Sequence, residues 1–520
     1  LKRVDDIIAR QNSVSELVQK SDVRYSLAES LEKIYDIQRL ATRMSNGSAS
    51  PKDFIGLKIS LSMLPRLLEE TVDLEYDMFA PIREYQEEIA DLTQVIENTI
   101  VDNPPILLKE GGIIKPNVSG ELDYFRDLLT GGEEWLQKFE EEEKERTGIK
   151  NLKVGYNKVF GYFIEVTKSN LNMVPQSYVR KQTLTGAERF ITDELKHHED
   201  DVLSARFKST ELEYKLFTDF REYSKEFVSK IREIADCIAK ADVLTSLSEI
   251  AVENNYCKPE IDESDDFIVK NGRHAVLEKI LPLGEYVPND LDLKSNSTND
   301  STQFMILTGP NMAGKSTYMR QNALIAILAQ IGSWVPADYV KLGVVDKVFT
   351  RVGASDDLTL GQSTFMVEMI ETSFILNTAT DRSFILLDEI GRGTSTYDGV
   401  AIAWSVAEYI ATKVGARCIF ATHYHELNVM TKTYPQIKNY RITITENNGE
   451  IEFLRKIVQG GASKSYGIQV ARMAGLPSSV VKRSEELMRK MQKDFSNNLA
   501  TRKKMVNNED EVPQLSLFGM

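Results

Sequence analysis

The sequence predicts a multidomain fold in which an all-α part carries a small β insert and precedes an α/β domain with a glycine-rich loop. Residues 1–149 repeat apolar side chains at three- and four-residue spacing, which is the period of a helix. Residues 152–166 alternate instead and are rich in aromatic side chains, as in a β-hairpin. The apolar run 304–307 leads into GPNMAGKS and then into a helix-like stretch, which is the order strand, loop, helix.

Length and charge limit the classes of protein that fit. A chain of 520 residues is long enough for about three domains, and its 42% hydrophobic content is typical of globular proteins. The net charge of -15 excludes a chain coated with basic surface, so contact with nucleic acid requires a local basic patch.

The cysteines and the hydropathy of the sequence indicate in which cellular compartment the protein is expected. Cys237, Cys257 and Cys418 are widely spaced and give neither a disulfide framework nor a metal-ligand spacing. No signal core or apolar stretch is long enough to span a bilayer, so we expect a cytoplasmic, nucleoid-associated protein with no membrane contact. Because the sequence begins with Leu1 inside a helix-like pattern, we also expect a fragment of a longer protein.

The helical part is divided by breakers. Leucine and isoleucine recur at helical spacing from residue 27 to residue 40, and loops are predicted at Asn103-Pro104-Pro105 and Gly111-Gly112. A further helical stretch covers 121–146 with a break at Gly131-Gly132, and its acidic run is interpreted as a solvated helix face.

The β insert, predicted over 150–192, is locally basic. Seven Lys and Arg face two Glu between residues 150 and 192, so the segment carries +5 inside an acidic chain. Such a patch could bind the DNA backbone, or its lysines could simply be solvated, and charge alone does not separate the two. The candidate DNA contacts are Lys153, Lys158, Lys168, Arg180, Lys181 and Arg189.

Residues 187–258 contain neither Gly nor Pro. This stretch predicts one very long helix or two in tandem, which would act as an arm returning from the β insert. A new α/β pattern begins near residue 263 and runs to about residue 490, and the polar segment that follows predicts a flexible tail.

The glycine-rich segment fills every fixed position of G-x-x-x-x-G-K-[ST]. Glycines let backbone N–H groups close on phosphate oxygens, the lysine reaches the β- and γ-phosphates, and the serine hydroxyl binds Mg2+. An accidental match is the alternative, and the strand and helix on either side argue against it. The predicted ATP contacts are Gly309, Pro310, Asn311, Met312, Ala313, Gly314, Lys315, Ser316 and Thr317.

A second apolar strand, 383–389, ends in two carboxylates. Asp388 would hold Mg2+ together with Ser316, and Glu389 would polarise an attacking water. A third strand ends at His423, where a neutral imidazole could sense the γ-phosphate. The alternatives are a structural carboxylate pair and a packed edge histidine, and for His425 we prefer the packed interpretation.

Five segments together resemble the MutS family of DNA mismatch-repair ATPases: GPNMAGKSTYMRQ, GQSTFMVEM, LLDEIGRGTSTYDG, FATHYHEL and GGASKSYGIQVARMAGLP. The likeness covers nearly the whole chain, because the helical arms and the insert LKVGYNKVFGYFIEV…RKQTLTGAERF resemble that family's lever and clamp domains. It implies a helical core and lever (1–149), a DNA-contacting β clamp (150–192), returning lever helices (193–262), an ABC-type ATPase domain (263–490) and a tail (491–520).

The resemblance also implies site residues. Tyr286 is similar to the aromatic that stacks on adenine, Asn311 would lie near the γ-phosphate, and Ser363 would act in trans on the nucleotide of a second subunit. Residues 461–487 resemble a helix-turn-helix that packs on the partner ATPase domain, and a DNA-reading helix-turn-helix is the alternative. Ala313 stands where some members have Gly.

Members that find mismatches carry a connector domain and an N-terminal domain with a Phe-x-Glu wedge, and neither is recognisable in this chain. Phe163-Ile164-Glu165 has the letters of that wedge but lies in the predicted hairpin, so no mismatch role is assigned to it. The implied partners are double-stranded DNA (mismatched, for the full-length protein), a second copy joined through the ATPase domains, a MutL-type repair protein and the replication sliding clamp.

The end of the tail resembles a sliding-clamp-binding peptide, with Gln514, Leu515, Leu517 and Phe518 as its contacts. A tail that folds back on the ATPase domain is the alternative. For the chain as a whole, the alternatives to a mismatch-repair ATPase are a paralogue that handles recombination intermediates and an ABC-type scaffold that holds ATP as a structural clasp.

Overall fold

The computed structural model describes residues 1–157, 161–282, 284–296, 301–310, 313–351, 364–447, 450–461 and 466–490. The chain divides into two compact units. We call Tyr25–Val243 the helical unit, and Leu1–Arg24 together with Leu244–Met520 the α/β unit. The predicted multidomain organisation, with helices, a small β insert and an α/β part, is confirmed.

The first half of the chain is helical apart from one sheet. Its helices are α1 (Val4–Gln19), α2 (Ser21–Glu32), α3 (Ile37–Ser45), α4 (Pro51–Ser62), α5 (Leu64–Glu70), α6 (Ala80–Glu84), α7 (Gln86–Thr99), α8 (Gly120–Thr130), α9 (Gly132–Thr147), α10 (Asp193–Ser224) and α11 (Val228–Glu253). The strands are β1 (Lys153–Asn157), β2 (Gly161–Thr167), β3 (Val179–Thr183) and β4 (Ala187–Ile191).

The second half alternates strands and helices. Its strands are β5 (Glu260–Asp262), β6 (Asp266–Gly272), β7 (Asn289–Lys294), β8 (Phe304–Thr308), β9 (Tyr339–Gly343), β10 (Val348–Arg351), β11 (Phe384–Asp388), β12 (Arg417–Thr422), β13 (Ile437–Asn447) and β14 (Glu450–Gln459). Its helices are α12 (Leu277–Ile280), α13 (Lys315–Gln330), α14 (Thr364–Thr378), α15 (Thr396–Tyr409), α16 (Gly467–Met473) and α17 (residues 478–490).

Local chemistry at Ser50–Asp53 determines where helix α4 of the helical unit begins. Ser50 and Asp53 form a reciprocal capping box at the start of α4, and Pro51 occupies the first turn, where its missing N–H costs nothing. The α4 helix then packs onto α10, where the Phe54 ring lies edge-on to the rings of Phe217 and Phe220, at centroid distances of 6.0 and 4.8 Å.

The small sheet of the helical unit is antiparallel, with strand order β1-β2-β4-β3. Ile164, Val166 and Phe190 are buried on the face that packs against Phe139 of α9 and Leu195 of α10. Lys153, Glu165 and Arg189 lie opposite one another on the other face. A half-buried sheet of this kind explains the alternating pattern of its strands.

The stretch predicted to be helical from residue 187 overlaps the β insert predicted to end at residue 192, and the structure has a strand in this overlap. Ala187–Ile191 forms β4, which pairs with β2 and β3, and Ala187, Phe190 and Ile191 are buried. The helix begins after Thr192, whose side chain accepts a hydrogen bond from the Leu195 N–H at 3.1 Å. Beyond this cap, two long helices follow in tandem, α10 and α11, joined by a 3₁₀ turn over Lys225–Phe227.

The first residues group with the α/β unit and not with the other predicted core helices. Ile7 of α1 is fully buried in the same apolar cluster as Met319 and Val340. The Arg10 guanidinium also donates to the Ile331 carbonyl at 3.0 Å. The apolar face of α1 is therefore buried against a part of the chain more than three hundred residues away.

The main sheet of the α/β unit has six strands in the order β10-β11-β12-β8-β13-β14. The first five are parallel, and β14 is an antiparallel edge strand. Both faces of β8 are buried: Met305 and Leu307 lie in the cluster that includes α13, and Phe304 and Ile306 lie in the cluster that includes α15. The continuous apolar composition of β8 follows from this double coverage.

A second, mixed sheet of the same unit has the order β5-β9-β6-β7. Arg417, at the start of β12, is 1% exposed and joins this sheet to the main one. Its guanidinium donates to the carbonyls of Asp266 (3.1 Å), Gly343 (2.9 Å) and Arg382 (3.1 Å). Burial lowers the pKa of Arg417 to about 10, which leaves it charged at neutral pH.

None of the helices in the described ranges is both long and apolar enough to cross a membrane.

We predict that Arg417→Ala destabilises the α/β unit by roughly 3–5 kcal/mol, because three carbonyls lose a charged donor and a cavity opens. Urea unfolding followed by Trp334 and Trp404 fluorescence, in a Trp135→Phe background, reports on this unit alone. The matched control is Arg382→Ala, which removes an exposed guanidinium and should change stability by less than about 0.5 kcal/mol. Equal midpoints for both variants would contradict the bridging role.

Candidate functional site

The candidate site lies where three parallel strands end. In register, Thr308 at the end of β8 is opposite Thr422 at the end of β12, and Asp388 at the end of β11 is opposite Ala421. The carboxyl ends of β8, β12 and β11 therefore meet at one edge of the sheet, which is where α/β proteins place their ligands.

The phosphate loop connects β8 to α13. Gly314 precedes the helix with φ of 104°, a left-handed conformation that a side chain strongly disfavours. The start of α13 then directs its unpaired N–H groups and the positive end of its dipole toward the loop. Asn311 and Met312 lie outside the described residues.

Lys315 folds back over the loop. Its Nζ donates to the carbonyls of Gly309 (2.7 Å) and Pro310 (3.3 Å), and the residue is 4% exposed. Burial lowers the pKa of Lys315, and the nearby Glu389 and Asp388 carboxylates oppose that shift. A buried cation whose partners are mainly carbonyls is suited to exchange them for phosphate oxygens.

Ser316 and Asp388 form a pair of oxygen ligands. Ser316 Oγ donates to Asp388 Oδ2 at 2.5 Å. Asp388 Oδ1 is buried and has no hydrogen-bond partner among the described residues. Burial raises the pKa of Asp388, and the neighbouring Glu389 charge adds to the rise. An unsatisfied buried carboxylate oxygen is costly, so this position favours a cation or a cation-bound water.

The donor set fits Mg2+. No group of three or more His, Cys, Asp or Glu that could hold a metal ion occurs within the described ranges. Mg2+ suits such a place because it commonly takes one or two protein oxygens and completes its shell with water and substrate phosphates.

Glu389 follows Asp388 directly and has an unusual backbone. Its φ is 55°, and its N–H donates to the Ala421 carbonyl at 2.9 Å. Both carboxylate oxygens are engaged, Oε1 by His423 Nε2 at 2.5 Å and Oε2 by the Arg392 guanidinium. The His423 hydrogen bond is the largest cause of a lowered pKa of about 2, so Glu389 is ionised at neutral pH.

Two cavities adjoin the phosphate loop. One has a volume of about 530 Å³ and is lined by Gly309, Glu389, His423, Tyr466 and Val470, among others, and His425 also lines it. The other, about 250 Å³, is lined by Tyr286, Gly314 and Thr317, with Ala313 beside them. The predicted carboxylate and histidine thus face the first cavity, and the predicted adenine-stacking aromatic lines the second.

Tyr286 is fixed in its cavity by a polar anchor. Its Oη donates to Gln321 Oε1 of α13 at 2.7 Å, and burial raises the pKa of Tyr286 to about 12. The ring is therefore neutral and held beside the first turn of the helix that follows the phosphate loop. An aromatic side chain in this place suits a planar base.

Three polar side chains of the site were missed in the sequence. Arg392 contacts Glu389 from three residues further on, and that spacing within a turn was a usable signal. Tyr424 donates to the Gly391 carbonyl at 2.9 Å, and Glu368 of α14 accepts from the Gly391 N–H at 2.5 Å. Tyr424 and Glu368 lie in the FATHYHEL and GQSTFMVEM segments, but neither segment shows by itself that tertiary packing brings the two side chains to Gly391.

Among the other predicted site residues, Ser363, Lys158 and the tail residues Gln514, Leu515, Leu517 and Phe518 lie outside the described residues. Their predicted roles stay predictions.

The basic sheet of the helical unit separates its candidates into two groups. Lys153, Lys168, Arg180 and Lys181 are exposed, although Arg180 is paired with Glu188 at 3.5 Å and Lys181 with Glu199 at 3.9 Å.

Arg189 is instead engaged within the sheet. It is paired with Glu165 at 2.9 Å, donates to Gln182 at 3.0 Å and lies 4.0 Å over the Phe163 ring. The guanidinium of Arg189 is thus less available to an external phosphate than the charged groups of the four exposed residues.

The C-terminal part of the α/β unit contains a two-helix element. Helix α16 ends at Met473, residues 474–477 form a turn, and α17 follows. Met473, Leu476 and Val480 of this element are exposed apolar residues, and Leu487 continues the series along α17. A series of this kind on a surface element is typical of a protein contact.

The phosphate loop, the strand-end carboxylates and the sheet topology define a member of the P-loop class of α/β proteins. Comparison with known families narrows this class. MutS family domain IV matches residues 117–208, which include the small sheet, and MutS domain V matches residues 305–492, which include the site. The chain belongs to the MutS family.

Relatives agree with this assignment. The chain is 48% identical to the DNA mismatch repair protein MutS of Clostridium botulinum (strain Hall) over 494 residues, or 94% of this chain and 52% of the relative. It is 49% identical to that of Acetivibrio thermocellus over 492 residues, or 95% of this chain and 56% of the relative. The chain thus spans about half the length of the curated relatives it matches.

We predict a pH-dependent stability difference between the wild type and Glu389→Gln. The carboxyl has a pKa of about 2 in the fold and an ordinary value of 4.5, so its charge stabilises the fold above pH 4.5, and this contribution is lost as the pH falls through about 2. Urea unfolding should show the wild type more stable, by a larger margin at pH 7 than at pH 3. A margin that is equal at both pH values would refute the assigned environment.

Proposed function

We propose that this chain is the ATP-hydrolysing, DNA-encircling part of a DNA mismatch-repair protein, with ATP and Mg2+ bound at the edge of the six-stranded sheet. One observation carries the proposal: a buried, unsatisfied Asp388 oxygen lies beside the Ser316 hydroxyl and next to an ionised Glu389 at the mouth of a phosphate loop. ATP hydrolysis requires these groups together.

The phosphate-binding roles follow from the contacts of each residue. Lys315 exchanges its Gly309 and Pro310 carbonyl partners for β- and γ-phosphate oxygens. Ser316 and Asp388 hold Mg2+, which when bound neutralises charge on the phosphates. Gly309, Gly314, Thr317 and the loop backbone surround the phosphates, and Tyr286 stacks on the adenine from the smaller cavity.

Glu389 orients the attacking water, and His423 senses the γ-phosphate. In the structure, His423 and Arg392 occupy both carboxylate oxygens of Glu389. A γ-phosphate in the larger cavity competes for these donors because it is also an anion. Their transfer to phosphate would free the carboxylate to accept a hydrogen bond from water, which links activation of Glu389 to the presence of the γ-phosphate.

We further propose an ABC-type dimer in which Ser363 of one subunit acts on the nucleotide of the other. The exposed apolar side chains of α16, α17 and the turn between them support a contact between copies. Val470 of α16 and Tyr466, the residue before α16, also line the larger cavity. We favour a protein-packing helix-turn-helix over a DNA-reading one because exposed apolar side chains run along both helices, and because Arg472 and Arg483 are paired with Glu485 and Glu486 within the element.

The small sheet is proposed to contact the DNA backbone through Lys153, Lys168, Arg180 and Lys181, with Lys158 adjoining them in sequence. Exposure and local positive charge support this role, since backbone contact needs charge and no base-specific geometry. We assign Arg189 a supporting role, because it holds Glu165, Gln182 and Phe163.

Mismatch reading is assigned to the part of the full-length protein that the relatives carry and this chain does not span. The proposed substrate is therefore mismatched double-stranded DNA, and the proposed partners are a second copy, a MutL-type repair protein and the replication sliding clamp through Gln514 to Phe518. The names of the relatives favour mismatch repair over the handling of recombination intermediates.

We predict that Glu389→Gln binds ATP with an affinity within about threefold of the wild type but lowers kcat by roughly 10²–10⁴-fold, because the water-orienting carboxylate is lost. Equilibrium binding of a fluorescent ATP analogue and steady-state phosphate release with Mg2+ measure the two effects. The contrasting variant is Lys315→Ala, which should weaken ATP binding by at least about tenfold. Equal phosphate-release rates in wild type and Glu389→Gln would exclude the role of Glu389.

For the basic sheet, we predict that the triple variant Lys153→Gln/Lys168→Gln/Arg180→Gln weakens binding to any duplex and lowers the slope of log K against log salt by up to about three phosphate contacts, near 0.9 each. Fluorescence anisotropy at several salt concentrations measures this. The matched control is Lys33→Gln/Lys52→Gln/Lys138→Gln, which removes the same charge from exposed sites in the same unit but outside the sheet. Identical slopes in the two triple variants would show that the sheet does not contact phosphates.

A further inference from the structure

We infer that Glu368 is a positioning residue for hydrolysis, because it anchors the turn that holds the catalytic carboxylate of Glu389 to helix α14. The inference rests on the proposed ATP hydrolysis and gives a role to Glu368, which lies in the GQSTFMVEM segment and within the matched domain V. It starts from a buried carboxylate that lies outside the phosphate-binding machinery.

Glu368 lies in the second turn of α14 and is 6% exposed. Its Oε1 accepts the Gly391 N–H at 2.5 Å, and its Oε2 lies 3.8 Å from the guanidinium of Arg351, itself 6% exposed. A buried carboxylate normally requires such partners to offset the cost of desolvation. One of the two partners is a main-chain group only two residues from Glu389.

Gly391 is held on both its N–H and its carbonyl side. Tyr424, the residue after His423, donates to the Gly391 carbonyl at 2.9 Å. Gly391 has φ of 89°, and a Cβ placed on it would lie 2.5 Å from the Gly399 carbonyl oxygen of α15. The turn therefore packs directly on the backbone of α15 and has little room to shift.

The strained conformation of Glu389 makes this anchoring relevant to chemistry. A non-glycine residue with φ of 55° is strained and persists only where its surroundings hold it. The Ala421 carbonyl fixes the Glu389 N–H, and Glu368 fixes the Gly391 N–H. Residues 389–391 are thus held at both ends, and the Glu389 side chain projects from between them.

A movement of α14 is therefore transmitted to the catalytic carboxylate. The helix begins at Thr364, immediately after the GQS segment in the sequence. Glu368 joins it to the turn by a buried hydrogen bond, beside the close approach of Phe365 to Gly393. A displacement of about 1 Å in a catalytic group can cost on the order of 10²-fold in rate, so a single buried hydrogen bond is enough to control hydrolysis.

Glu371 supplies a matched control on the same helix. Its carboxylate is paired with Arg351 at 2.8 Å, closer than that of Glu368 at 3.8 Å, and its side chain is 48% exposed. Replacing Glu371 thus perturbs the same arginine without touching the Gly391 N–H. The comparison separates loss of the anchor from loss of charge beside Arg351.

The test measures kcat, KM and ATP affinity of the 520-residue chain with Mg2+, for the wild type and three groups of variants. Glu368→Ala should lower kcat by roughly 10–100-fold with KM and ATP affinity within about twofold, because only the position of Glu389 changes. Glu368→Gln should restore kcat to within about threefold, since its amide oxygen still accepts the Gly391 N–H. Glu371→Ala should retain the wild-type kcat.

Tyr424→Phe removes the hydrogen bond on the carbonyl side of Gly391 and provides a second test if Glu368→Ala does not fold. Loss of its hydrogen bond should lower kcat by about threefold to tenfold at unchanged KM. A wild-type kcat in Glu368→Ala, or in Tyr424→Phe if Glu368→Ala does not fold, would overturn the inference. A loss in Glu368→Ala that Glu368→Gln does not restore would also overturn it.

Hydrogen exchange separates this inference from the proposed function. Amides of residues 389–391 should exchange at least about tenfold faster in Glu368→Ala than in the wild type or Glu371→Ala, whether or not ATP is hydrolysed. An inactive wild type with this exchange pattern would sink the proposed function alone. An active wild type with equal exchange in all three proteins would sink the positioning role alone.

Discussion

The position of β12 between β8 and β11 is the constraint on which the candidate site depends. Parallel pairing on both sides fixes the register, so that Thr422 is level with Thr308 and Ala421 is level with Asp388. The loop after each strand therefore starts from the same edge. The phosphate loop, the carboxylate pair and the histidine come from segments up to 114 residues apart in sequence, from 309 to 423, but meet because the three strands end together.

Adjacent carboxylates in this site have opposite electrostatic environments. Burial raises the pKa of Asp388, whereas the His423 hydrogen bond lowers that of Glu389 to about 2. Asp388 therefore gains most from a cation, which would satisfy its buried oxygen, and Glu389 gains most from donors such as water or imidazole. Neighbouring positions in the sequence thus take different chemical roles, as is common where the surroundings separate two titrating groups.

The sequence was sufficient for features that depend on local chemistry. The phosphate loop, the carboxylates after β11 and the hairpin of the small sheet each follow from residue types at fixed spacing. The sequence was insufficient where tertiary packing determines the secondary structure of a segment or the partner of a side chain. Ala187–Ile191 has no breaker and reads as helix, but pairing with β2 and β3 buries it as a strand. Glu368 reads as an ordinary helical residue, and only the fold brings it to Gly391.

The backbone strain at Glu389 shows how stability and chemistry are connected in this site. A positive φ for a glutamate persists only if nearby contacts together outweigh its cost. Here the Ala421 carbonyl, Glu368 and Tyr424 belong to three separate elements, β12, α14 and the loop after β12. Since each contact is worth only about 1 kcal/mol on its own, no single element can hold the strained turn. The conformation of Glu389 is therefore a property of the assembled α/β unit, and a rearrangement of any one of these elements changes it.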